Sequence, residues 1–341
     1  MGLTGKMGRA NEERPAVLAP SPKRGDGRAS GWTGPTYYGR PQLKPAPFNN
    51  WVVGGYIFLA GLSGSSSLLG HIAELVGGPE SERLARRARK YALLAPTIGS
   101  ALLIEDLHTP KRFYNMLRVA KLRSPMSIGT WILMTFSAGA FPAAVLHFLA
   151  DHLKAFRWLR RPAHFVQAPA TLAGAGLSVY TAALMSATST PSWASAPQAL
   201  SVRYGASSVA SAASALMLGE RSPKLRRTLA TLTCGALVVE AAASAAQAAA
   251  HRAKGVEEAS GGGWGRAETI FALGLGVLAP VALLGASLVA PRARRRVLHN
   301  AAALATIGGS AMLRIATLGV GDDSATRPEI SLRFAQPANL P

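Results

Sequence analysis

Long apolar runs broken by short, mostly basic interruptions set the pattern of this chain. Eight of the runs approach or exceed the ~20 mostly apolar residues that carry a helix across a bilayer. They fall near 51–76, 91–107, 127–150, 165–187, 197–218, 229–250, 269–290 and 298–320. The pattern predicts an all-α, polytopic membrane protein with about eight transmembrane helices. The second run is short unless its charged ends reach out to the headgroups. The fifth is diluted by Arg203 and several serines.

The first run organises the rest. A proline-punctuated lead-in (Pro41, Pro45, Pro47) gives way to a stretch without charge from Trp51 to Gly70, in which Gly54, Gly55, Gly61, Gly64 and Gly70 alternate with Ser63, Ser65, Ser66 and Ser67. In water each such glycine would cost a helix about 1 kcal/mol relative to alanine. In lipid, small residues let neighbouring helices approach closely and gain packing. The run therefore predicts a membrane helix packed tightly on its partners. Its amphipathic entry, Asn49, Asn50, Trp51 and Tyr56, is placed to hold a polar headgroup at the membrane surface.

Composition agrees. Of 341 residues 49% are hydrophobic and 16% charged, against about 25% charged in soluble domains. The net charge of +20 does not point to nucleic acid, because the basic residues cluster between apolar runs without interleaved aromatics. The single cysteine, Cys234, excludes an iron–sulfur cluster held by this chain and an internal disulfide framework. Residues 1–36 are polar and rich in Pro, Gly and Arg, with no apolar core of a cleavable signal peptide. They predict a disordered basic tail, followed by a membrane domain over 37–320 and a C-terminal tail over 321–341.

Loop charge sets the expected orientation. The connections after runs one, three, five and seven are short and basic: Arg83, Arg86, Arg87, Arg89 and Lys90; Lys154, Arg157, Arg160 and Arg161; Arg221, Lys224, Arg226 and Arg227; Arg292, Arg294, Arg295 and Arg296. The positive-inside rule puts these in the cytoplasm and both termini outside; the basic N-terminal tail pulls the other way. Lys111, Arg112, Arg118, Lys121 and Arg123, after run two, then lie on the opposite face. They are a candidate docking surface for a partner subunit, or simply solvated charge at a helix end.

Ionisable residues inside the runs are functional candidates by default. His71 and Glu74 share a helical face near the cytoplasmic end of run one, as a proton exit or an interfacial pair. Glu105 and Asp106 close run two and lead into His108, Pro110 and Arg112, a cluster able to handle protons and orient anions. Glu240 lies centrally in run six and needs a partner such as Arg203 or Arg314 if ionised, as an interhelical ion pair or a proton relay. His71, His147 and His152 lie near one face, but no second histidine pair marks the other, so no haem is expected. No metal ligand set is assigned. Proline-interrupted spans also suit a carrier, although no internal repeat is found and the charged groups gather at one face rather than the midplane.

The motifs resemble a known family. YYGRPQLKP (37–45) followed by YIFLAGLSGSSSLL, the run LIEDLHTPKRFYNMLRVAKLRSPMSIGTWIL (103–133), YTAALMSATSTPSW (180–193) and IGGSAMLR (307–314) are similar to the NrfD / polysulfide-reductase membrane-subunit family. The resemblance spans about residues 37–320, and the stretch around 106–131 is its specific part. It implies two four-helix bundles without haem in the cell inner membrane, and a bound quinone or quinol (menaquinone or ubiquinone). It also implies a ferredoxin-like iron–sulfur partner, with a molybdopterin-type catalytic subunit beyond it. Carried onto this chain, the quinone-contact position on the first helix falls at Tyr56, with Asn49 and Asn50 at its mouth and Arg112 as a further binding residue. Asp106, with His108, becomes the group that exchanges protons with quinol oxygens; pairing with Arg112 is the other role open to Asp106. The family's GLAGG-type run is GLSGS here. The competing class is a secondary transporter or ion-translocating subunit with no redox role.

Overall fold

The computed structural model describes residues 43–47, 49–106, 114–118, 120–121, 123–336 and 339, with backbone only at 116 and 117. The elements among them are helical: α1 Asn50–Val76, α2 Pro79–Ala92, α3 Ser100–Asp106, α4 Asn115–Arg118, α5 Pro125–His152, α6 Arg160–Ser186, α7 Pro191–Ala194, α8 Pro197–Leu218, α9 Pro223–Ala253, α10 Gly263–Ala267, α11 Ala279–Val289, α12 Arg292–Thr326 and α13 Pro328–Phe334. Local chemistry fixes the starts. Proline sits in the first turn of α2, α5, α7, α8, α9 and α13, where its missing N–H costs nothing. Ser124 and Ser222, each just ahead of such a proline, accept from the backbone N–H of Ser127 and Leu225 and cap α5 and α9.

Among the described residues, six helical stretches are long and apolar enough to cross a membrane: Asn50–Val76, Pro125–His152, Lys154–Ser186, Pro223–Ala253, Gly263–Val289 and Arg292–Thr326. The protein is thus a polytopic all-α membrane protein. The two other predicted spans are helical too, and each departs from the simple pattern for a physical reason. The second is jointed. α2 holds the basic run read from sequence as a connection, because Leu84, Ala85, Ala88 and Ala92 form a buried stripe. A π turn over Ala95–Gly99, containing Pro96, then joins it to α3.

Three contacts fix this joined helix antiparallel to α1. Gly70 faces Ala88, Ser63 donates to the Tyr91 carbonyl at 3.0 Å and accepts from the Ala95 N–H at 2.8 Å, and Asn49 meets Asp106. The fifth predicted span is α8, whose 22 residues would reach about 33 Å at 1.5 Å per residue. It is too serine-rich to register as lipid-facing because it lies inside, against α1, α6, α9 and α12.

The packing separates into two groups of four spans. α1, the α2–α3 joint, α5 and α6 pack together, as do α8, α9, α10–α11 and α12. α1 and α6 face α8, and α1 also faces α12, across the boundary. Pro142 and Pro169 are carried inside continuous helices. Ahead of Pro280 the backbone widens into a π segment over Glu268–Leu278, a local adjustment that absorbs a proline's lost hydrogen bond. α12 runs on to Thr326, and α13 folds back so that Ile330 and Phe334 pack with Val256, Ala259, Ala194 and Val320.

Candidate functional site

Two polar rims stand at opposite ends of the bundle, joined by buried polar side chains. The first surrounds the start of α1. Asn49 is the N-cap: its side-chain oxygen accepts from the N–H of Trp51 at 3.1 Å and Val52 at 3.5 Å. Its own backbone N–H donates to Asp106 Oδ1 at 3.3 Å. Asn50, one residue on, turns inward and is buried, and its Nδ2 donates to Asp322 Oδ2 at 3.2 Å. Of the two asparagines at the mouth, Asn50 is therefore the inward one, while the Asn49 side chain caps the helix. Trp51 lies on the outside, 62% exposed, with its ring edge-on to Trp264 at 6.4 Å.

Tyr56, a turn further in, is half-buried against the cluster of Val53, Ile57, Met185, Trp193 and Tyr204. It lies within electrostatic reach of Asp106, Tyr180 and Tyr204. Sequence-predicted Asn49, Asn50, Tyr56 and Asp106 thus gather at one rim. His108 and Arg112 lie outside the described residues.

Beside this rim an apolar groove of about 650 Å³ runs between α5 and α6, lined by Lys121, Ser127, Trp131, Leu172 and Gly176 among others. Ligand pockets are typically about 300–1,000 Å³ and mostly apolar, with a few polar groups. Tyr180, one turn beyond the groove residue Gly176 and within electrostatic reach of Tyr56, packs on α5: its hydroxyl donates to the Pro125 carbonyl at 2.6 Å and its ring lies over Gly129. Four residues that matter here were not singled out as site residues in the sequence. Asp322 follows the last apolar run as half of an acidic pair, Trp131 lies inside the SPMSIGTW motif, Tyr180 opens the YTAALMS motif, and Trp264 is bracketed by glycines.

Between the rims the buried polar groups largely bond one another, although Arg203 Nε and Arg314 Nε have no hydrogen-bond partner among the described residues. Arg314, 1% exposed, donates to the Ser207 hydroxyl (2.8 Å), the Ser310 carbonyl (2.8 Å) and hydroxyl (2.6 Å), the Tyr204 carbonyl (3.1 Å) and the Ser208 hydroxyl (2.8 Å). Those partners explain the serines of α8: they solvate a guanidinium inside the bundle, where an unpaired charge would cost several kcal/mol. Arg203 pairs directly with Glu268 and donates to Gln247 Oε1 at 3.1 Å. Glu240 lies within reach of the Ser207 side chain and of the charges on Arg203 and Arg314. Of the two expected partners for Glu240, Arg203 gives its direct ion pair to Glu268 instead.

The second rim lies at the other end of α1. Arg89 pairs with Glu74 Oε1, and Glu74 Oε2 lies 3.1 Å from His164 Nδ1 and 3.8 Å from His71 Nδ1. His147 Nε2 is 3.9 Å from Glu74 Oε1, and its ring stands edge-on to His164 at 5.1 Å. Arg160 bonds Asp151 at 2.9 Å. Arg89 Nη2 also lies 3.9 Å from Asp151 Oδ2, so its guanidinium faces both carboxylates. His71 and Glu74 are thus part of a three-histidine cluster, whose third member, His164, no spacing in the sequence pointed to.

A helical bundle of membrane spans with a charged guanidinium core and an acid–amide rim defines a multi-pass membrane protein built around internal polar chemistry. The protein belongs to the NrfD polysulphide reductase family, whose model matches residues 42–321. It is also 33% identical over 103 residues to the C component of the polysulfide reductase of Wolinella succinogenes, a match covering 29% of this sequence and 31% of that relative. The matched stretch therefore spans about a third of the relative's length.

Proposed function

We propose that this protein is the haem-free membrane subunit of an oxidoreductase complex, binding quinone or quinol at the rim formed by Asn49, Asn50, Tyr56 and Asp106. It would exchange electrons there with an iron–sulfur partner, and through it with a molybdopterin-type catalytic subunit. The observation that carries this reading is the meeting of the Asn49 N–H and the Asp106 carboxylate at 3.3 Å, beside an apolar groove large enough for an isoprenoid chain. Family membership supports it. The donor set fits the headgroup of a quinone: an acceptor carboxylate, a phenol and an amide at the edge, with apolar walls leading to lipid.

A bound quinol supplies two electrons and two protons. Asp106 would act as the base for one of those protons, ordinary general-base chemistry for a carboxylate. Tyr56 would donate to a ring oxygen of the bound headgroup. Trp131 and Leu172 keep the tail in an apolar environment. His108 and Arg112 follow Asp106 closely in sequence, outside the described residues. The basic connections that carry Arg160, Arg226 and Arg295 would face the cytoplasm by the positive-inside rule. The quinone rim and both termini then lie on the non-cytoplasmic side of the inner membrane.

The test is purification of the native complex in mild detergent. It should co-purify with an iron–sulfur protein, and organic extraction should release close to one menaquinone or ubiquinone per subunit. A subunit that purifies alone and quinone-free would end this reading. The part-buried Arg203–Glu268 pair and the buried Arg314–Ser207 contact favour one alternative, ion translocation without redox chemistry. Solute or ion uptake by the isolated subunit in liposomes would establish it.

A further inference from the structure

The second rim holds a site that the proposed quinone chemistry does not use. His71 and Glu74 come from the end of α1, His147 from α5 and His164 from the start of α6. The donor atoms of His71, Glu74 and His164 all lie within 4.8 Å of one another. Two atoms at this point, His71 Nδ1 and Glu74 Oε2, are buried without a hydrogen-bond partner among the described residues, as is His147 Nε2 beside them, 3.9 Å from the other Glu74 oxygen. His147 itself is 5% exposed. Buried polar atoms are nearly always satisfied, so orphaned donor atoms gathered around one carboxylate call for something that binds them.

We propose that this cluster binds a divalent first-row transition-metal ion, Zn²⁺ by its donor set, which clamps the ends of α1 and α6. Donors around a tetrahedral zinc at about 2.0–2.1 Å stand roughly 3.3–3.4 Å apart. The His164 Nδ1–Glu74 Oε2 and His71 Nδ1–Glu74 Oε2 separations, 3.1 and 3.8 Å, bracket that spacing. Two imidazoles and a carboxylate are the borderline N/O set that zinc takes. Arg89 holds the other carboxylate oxygen, which orients Glu74 as outer-shell partners orient metal ligands. His147, against the His164 ring, is placed to accept from a metal-bound water or to enter as a fourth ligand.

The surroundings permit a cation. The adjoining cavity of about 80 Å³ is lined by Glu74, Glu82 and Asp151 and by Arg86, Arg89 and Arg160, three charges of each sign. It also has room for the water that fills an open coordination position.

The experiment uses the tag-free full complex, stripped with chelator and dialysed against Zn²⁺, with bound zinc counted by elemental analysis and affinity measured by calorimetry. Co²⁺ loading is read by its visible absorption. One high-affinity zinc per subunit and a tetrahedral cobalt spectrum are expected. His164→Ala, at a half-exposed position where folding is spared, should weaken binding at least tenfold, and Glu74→Gln should do the same. His152→Ala, whose ring stacks on Phe148 away from the cluster, should leave binding unchanged. Zinc should raise the thermal transition of the wild type and not that of His164→Ala. Failure of the wild type to retain zinc, or unchanged affinity in His164→Ala, would overturn the assignment and leave water as what satisfies these atoms. Quinone binding at the opposite rim would be untouched by either result.

Discussion

The backbone N–H of Asn49 donates to Asp106 Oδ1 at 3.3 Å, so the mouth of the first span is tied to the acidic end of the second. The bond needs only an acceptor oxygen, which asparagine also provides, whereas proton exchange needs a carboxylate. Asp106→Asn should therefore leave the complex assembled while quinol turnover falls by about 10²-fold or more, the usual contribution of a positioned base. Size-exclusion profiles and a quinol-oxidation assay report the two properties separately. Turnover at the wild-type rate would remove Asp106 from the chemistry.

Asn50 carries a different load. Its buried amide links α1 to α12 through Asp322 at 3.2 Å, and truncation leaves polar atoms in a dry interface. Asn50→Ala should destabilise the subunit by about 1–3 kcal/mol, seen as a lower midpoint in a detergent unfolding titration. Asn49→Ala should cost about 1 kcal/mol through its lost cap. A larger loss for Asn49→Ala than for Asn50→Ala would mean that the inward and capping roles are misassigned.

These two asparagines show where sequence stops informing. Neighbouring residues on a helix point about 100° apart, so the two asparagines meet different surroundings, and which one turns inward depends on where the helix begins. The spans themselves were legible because hydrophobic length is a property of the sequence alone. α8 was the weakest because its serines answer to Arg314, a residue more than a hundred positions later. The basic stretch of α2 looked like a connection because charge outweighs the Leu84, Ala85 and Ala88 stripe in any count. The stripe becomes decisive only when α1 lies against it. His164 sits in an arginine-rich entry that suggests nothing, and acquires meaning only when α6 brings it to Glu74.

Arg203 and Glu268 form an ion pair beside Gln247 at the head of the second helical group. Removing one partner strands the other charge, which costs about 3–5 kcal/mol in a buried setting, whereas removing both is often close to neutral. Arg203→Met and Glu268→Ala should each lower the yield of folded subunit sharply, and the double substitution should recover part of the loss. A double-mutant cycle on unfolding midpoints measures the coupling. Additive effects would show that the pair contributes nothing beyond its separate residues.

Gly308 and Gly309 are adjacent in α12 and face opposite environments. A Cβ on Gly309 would collide with the Gly276 backbone, where α12 crosses the π segment, while a Cβ on Gly308 would meet nothing within 4 Å. The close approach at Gly276 brings two backbones together as small residues do in membrane bundles. An added methyl there must push the helices apart, at a cost of about 1–3 kcal/mol for overpacking. Gly308→Ala should instead be neutral or stabilise by up to about 1 kcal/mol, the helix-propensity difference. Unfolding midpoints of the two single variants, measured in the same detergent, should therefore move in opposite directions or differ by at least the overpacking cost. If the two move together, the α12 crossing does not lie at Gly309.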